Sequence, residues 1–185
     1  MVIEERVLRR LMKRDFTSSV GVTVTRDSSW DDKSALYMHG EDWAVQIVWS
    51  KVSEKTLAAI VEMMRELPEA GTAYTLRKGD EPCYVGSLRY HFPEITKEAV
   101  EGRAQIVRTP IIYDAYSVWQ KRGNNGIAMI DADTAELITG NDAHFYNGGL
   151  YTEGLASRVF INQRVFLLDD KKTDAARKLE KESWL

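Results

Sequence analysis

Thr109-Pro110-Ile111-Ile112-Tyr113-Asp114-Ala115-Tyr116-Ser117-Val118-Trp119-Gln120-Lys121-Arg122-Gly123 is the stretch on which the reading of this chain turns. Threonine is a good helix N-cap, and proline suits the first helical position, where its missing N–H costs nothing. Lys121 and Arg122 would then sit in a last turn, where the helix dipole favours cations. Gly123 would take the left-handed position just beyond. These signals predict a helix over 110–122 that buries Ile112, Ala115 and Trp119 and turns Tyr116 outward. Beyond it the sequence predicts a strand from Gly126 to Ile130, a turn at Asp131–Thr134 and a returning strand from Ala135 to Thr139. A polar and aromatic segment, Asn141 to Leu150, comes next.

Working toward the N-terminus, Ser53 caps a predicted helix over 53–67 whose apolar stripe is Leu57, Ile60, Val61, Met64 and Leu67. Before it, Ala35–Met38 and Trp43–Trp49 read as a hairpin about His39-Gly40-Glu41-Asp42. Its second arm alternates, with Trp43, Val45, Ile47 and Trp49 on one face and Ala44, Gln46 and Val48 on the other. Val20–Thr25 alternates in the same way, and Asp27–Asp32 reads as a polar loop carrying Trp30. Residues 3–14 form a predicted helix with Ile3, Val7, Leu8 and Leu11 on one side and Arg6, Arg9, Arg10, Lys13 and Arg14 mostly on the other. That basic face is either a solvated surface or a contact for an acidic partner or a phosphate backbone.

Between the 53–67 and 110–122 helices, Thr72–Arg77 and Cys83–Phe92 read as a strand pair, with Cys83 packed inside its strand. Pro93–Glu101 reads as a short helix, and Ala104–Arg108 as a strand. Toward the C-terminus, Ala156–Leu168 supplies further strands. The predicted architecture is a single α+β domain over 1–168: a mixed, largely antiparallel sheet with three or four helices packed on it. Residues 169–185 form a charged, helix-prone tail.

Composition bounds the function. The chain has 185 residues, 44% apolar and 29% charged, with a net charge of −3. These values suit a soluble globular domain and give no overall pull toward nucleic acid or an acidic membrane. With one cysteine there is neither an intrachain disulfide nor a cysteine zinc cluster. The sequence lacks a signal-peptide layout, which leads to an expectation of a cytoplasmic protein. His39, His91 and His144 show no metal-binding spacing, so no metal site is expected. Phosphate-binding glycine loops and a nucleophile elbow are absent from the sequence. The leading expectation is therefore a non-catalytic interaction or assembly protein without a cofactor. Its partner would be another protein, an acidic one if the helix 3–14 is the contact, and a homo-oligomer stays open. The expected contact residues are Arg6, Arg10 and Arg14 on the first helix, with Tyr113 and Tyr116. Tyrosine and tryptophan are favoured interface anchors, and Trp30, Tyr146 and Tyr151 extend the aromatic supply.

The succession of elements from Ser53 to Leu168, with Asn141, Phe145-Tyr146 and Gly149-Leu150, resembles the GNAT acyltransferases. The resemblance implies acetyl-CoA as cofactor, contacts to it from Asn141 and Thr109, and Tyr146 as general acid to the leaving thiolate. Where that family carries Arg/Gln-x-x-Gly-x-Gly/Ala, this chain has Arg108-Thr109-Pro110, so the pyrophosphate-binding loop is missing. A GNAT-like acyltransferase is thus the alternative function. Nucleic-acid binding through the basic first helix, with Arg103 and Arg108, is the third.

Overall fold

The computed structural model describes residues 1–30, 33–85, 105–122, 126–146, 149–161 and 166–168. It is an α+β fold dominated by one 12-stranded sheet. The strands are β1 (Val22–Trp30), β2 (Lys33–His39), β3 (Trp43–Val48), β4 (Ala73–Leu76), β5 (Cys83–Tyr84), β6 (Gln105–Tyr113), β7 (Tyr116–Lys121), β8 (Ile127–Asp131), β9 (Asp142–Tyr146), β10 (Gly149–Glu153), β11 (Ser157–Ile161) and β12 (Phe166–Leu168). Their spatial order is β12-β8-β7-β6-β9-β10-β11-β3-β2-β1-β4-β5. Every described strand pairing is antiparallel. The N-terminal strands and those from β6 onward meet at a single seam. There β11 lies against β3, from Ser157 opposite Ile47 to Ile161 opposite Trp43.

Helix α1 (Glu5–Phe16) packs on one face of this sheet and buries Val7, Leu8, Leu11, Met12 and Asp15. The expected apolar side of the first helix is therefore the buried one. Beneath it the alternating strands present Val22 and Val24, Leu36 and Met38, Trp43, Val45 and Ile47, Trp119, and Val159 and Ile161 to the core. The segment before α1 is tied to residues far along the chain. Ile3 bridges Ile138, Glu4 N–H donates to the Leu137 carbonyl at 2.9 Å, and Val2 N–H donates to Ser157 Oγ at 3.0 Å. On the opposite sheet face Tyr37, Ala44, Tyr151 and Phe160 form a smaller buried cluster.

Helix α2 (Glu54–Met64) begins where expected, with the Ser53 side chain accepting from Thr56 N–H. Its buried face is Thr56, Ile60 and Met64, one step round from the expected stripe, so Val61 and Leu67 are exposed. The helix also stops short of 67, because Arg65 takes a left-handed φ of 68°. The returning strand expected at Ala135–Thr139 is instead a helical turn, α3 (Ala132–Ala135), capped by Asp131. Past it, Ile138 joins the core through its bridge to Ile3. The loop expected at 27–32 is largely strand, since β1 runs on to Trp30. Cys83 lies on β5 but is exposed rather than packed. The helix expected at Pro93–Glu101, together with Arg103 and the 169–185 tail, lies outside the described residues.

The largest correction concerns 110–122. This stretch is not a helix but the outer part of β6, a two-residue turn at Asp114-Ala115, and β7. Ile106, Val107, Ile111 and Ile112 are β-branched, and Tyr113, Tyr116, Val118 and Trp119 are aromatic or β-branched, all suited to a pleated surface. Pro110, which cannot donate to a ladder, sits in a bulge between Arg108 and Ile112. Thr109 does not cap a helix. Its hydroxyl donates to the Val118 carbonyl at 2.7 Å and accepts from Ile111 N–H at 3.3 Å. Asp114 turns the chain with a φ of 54°, a region that aspartate tolerates better than most residues.

Candidate functional site

Alternation on β7 sends Ser117 and Trp119 to the core side and Tyr116 and Val118 to the other. Trp119 is fully buried, and its indole N–H donates to Ser117 Oγ at 3.0 Å. Over its ring lies the Arg108 guanidinium, 4.7 Å from the centroid. Arg108 Nη2 donates to the Ala135 and Ile138 carbonyls at 2.8 and 2.7 Å, so this cation anchors α3 and the segment after it. Burial pulls its pKa below the ordinary arginine value, opposed by Glu136.

Past Arg108 the β6 arm runs beyond β9, while β7 stays paired with β8 as far as Tyr116 opposite Asp131. The Arg108 N–H donates to the Asn141 carbonyl at 2.7 Å, and β9 pairs with β6 only at Gln105, Ile106 and Val107. From Pro110 onward the β6 arm has β7 on one side and no described strand on the other. Ile112 is 59% exposed and Tyr113 51% exposed. Pro110, Asp114 and Ala115 are exposed as well, and Tyr116 is half-buried. Ile112 and Ala115, expected on a buried helix face, are thus outside. Ile112 is the member of this surface that the helical reading concealed. The Ile-Ile-Tyr run, ahead of a short polar turn, is the signal that could have exposed it.

The basic residues of α1 divide. Arg14 donates to Asp15 at 2.6 Å through Nε and to Asp42 at 2.8 Å through Nη2. Both carboxylates are buried, and Asp42 also accepts from Thr134 Oγ1 at 3.2 Å. Asp15 further accepts from the Trp43 indole N–H at 2.8 Å and from Glu41 N–H at 3.1 Å. Burial disfavours the Arg14 charge, but its hydrogen bonds and attraction to Asp15 and Asp42 outweigh that and raise its pKa above the usual arginine value. Arg14 therefore clips the end of α1 to the β2–β3 turn and to α3. Arg10 pairs with Glu136 at 3.1 Å and Asp133 at 3.6 Å. Arg9 reaches Thr56 Oγ1 at 3.1 Å, where Glu5 also meets the Ser53 and Thr56 hydroxyls. Arg6 is exposed and makes no ion pair among the described residues.

On the sheet face away from α1, cross-strand partners set Gln105, His144, Tyr151, Phe160, Ala44 and His39 in one row. A parallel row holds Glu153, Arg158, Gln46 and Tyr37. The Tyr151 hydroxyl donates to Glu153, and Arg158 Nε donates to Gln46 Oε1. Burial, with help from Glu153, raises the Tyr151 pKa, so this phenol stays a neutral donor. Burial lowers the His39 pKa. Tyr151, counted in the aromatic supply for an interface, is buried. Asn141 lies just before β9, and Tyr146 is the last residue of β9. Thr109 is held within the β6 bulge, so the three residues drawn from the acyltransferase resemblance lie on strands or beside them. Among the described residues no His, Cys, Asp and Glu groups of three or more are arranged to hold a metal. No described helix is long and apolar enough to cross a membrane.

Comparison with protein-family models gives no match, and comparison with curated proteins and with solved structures gives none either.

Proposed function

We propose that this chain is a non-catalytic interaction or assembly protein whose contact surface is the tip of the β6–β7 hairpin. The observation that carries this reading is the exposure of Ile112 and Tyr113, one on each face, at the end of the β6–β7 strand pair. Large apolar side chains this exposed at a hairpin tip add little to the core. Covering each of them with a partner removes apolar surface from water at about 25 cal/mol per Å². Tyr113 brings a hydroxyl as well, which suits it to a contact that is apolar in the middle and wet at its edge. The basic face of α1 supports a weaker version of the same function. Arg10 and Arg14 already serve α3, Asp15 and Asp42, which leaves Arg6 and Lys13 for an acidic partner or a nucleic acid. The acyltransferase alternative drew on a helix starting at Thr109, and with that stretch in a strand pair it keeps only Asn141 and Tyr146.

The test places a photo-crosslinking amino acid at Tyr113, with a control at exposed Lys55, and irradiates the protein in its native cells. The expected result is a discrete adduct from position 113 that Ile112→Lys abolishes without altering the circular dichroism spectrum. Adducts no different from those at position 55 would refute the reading.

A further inference from the structure

We draw no further inference here: the strongest candidate, the polar row of Glu153, Arg158, Gln46, Tyr37 and Thr25 that crosses β10, β11, β3, β2 and β1 on the sheet face away from α1, carries none, because nothing in the structure shows what covers it.

Discussion

Replacing Asp15 by alanine should cost this protein about 2–4 kcal/mol of stability. The carboxylate is 1% exposed and receives four donors: Trp43 Nε1, Glu41 N, and Arg14 Nε and Nη2. Truncation leaves the indole N–H of Trp43, itself buried, with no acceptor, worth about 1–3 kcal/mol. The Arg14 contribution is smaller than for a wholly buried pair. Its side chain is 38% exposed and keeps Asp42, so roughly 1 kcal/mol is a fair share after solvent screening. Glu41 is exposed, and water can take the place of its acceptor. Asp15→Asn returns a carbonyl acceptor to Trp43 without the charge, so it should recover about half of the loss. Urea unfolding followed by tryptophan fluorescence reads both variants, with Trp43 beside the site as reporter. An Asp15→Ala midpoint equal to the parent's, or an asparagine variant no better than alanine, would refute the claim that this carboxylate fastens α1 to the β2–β3 turn.

Gly40→Ala should weaken the same fastening by about 1–3 kcal/mol, because a Cβ there would lie 2.0 Å from Asp15 Oδ2 and 2.5 Å from Trp43 Nε1; thermal unfolding measures it. Trp119→Ala should cost about 3–5 kcal/mol through lost burial and the cavity left behind, and Tyr116→Ala clearly less, in paired chemical denaturations. The lowered His39 pKa means that the folded state resists a proton which the unfolded chain accepts. Its contribution to stability is therefore full above about pH 6.5 and is lost as pH falls through the folded value. His39→Gln should flatten the acid limb of a stability–pH curve. If the acyltransferase alternative holds, millimolar acetyl-CoA should raise the melting temperature, and a flat titration rejects it.

The parts legible in the sequence were those governed by local pattern. The apolar side of α1, the Ser53 cap and the alternation of Trp43, Val45 and Ile47 each depend on residues within a few positions of one another, and the structure places them as read. The misreading at 110–122 has a physical origin. Threonine, proline, a basic pair and glycine mark helix ends, yet the first two also serve a strand pair. Thr109 binds across the ladder, Pro110 occupies the bulge, and Asp114 makes the turn without glycine. Which use prevails depends on β9 and β8 lying alongside, and no window of sequence contains them together. The Asp15–Asp42 pair was hidden for a similar reason. Acidic residues beside Arg14 or in a hairpin turn look like surface, and only the fold carries Asp42 to the end of α1. Of the candidate site, Tyr113 was legible as an exposed aromatic, whereas Ile112 was assigned to the interior because its neighbours were counted at helical spacing.

The seam between β3 and β11 sets the order of events during synthesis. Ile47 and its partner Ser157 are about 110 positions apart, and the N-terminal segment waits for the same late residues, since Val2 donates to Ser157. At roughly 5–20 residues per second, a ribosome needs about 5–20 s to supply the missing strand. At the start of that interval Val7, Leu8, Leu11 and Met12 have only β1–β4 and α2 to cover them, and Trp43, Val45 and Ile47 face an open edge. Pairing at such sequence separation carries a large loop-closure cost before any contact repays it, so folding should be slow and rate-limited by closure of this seam. Nascent chains stalled before β11 would be the form most dependent on chaperones, and a circular permutant opened between β5 and β6, which brings β11 close to α1 in sequence, should refold faster than the parent.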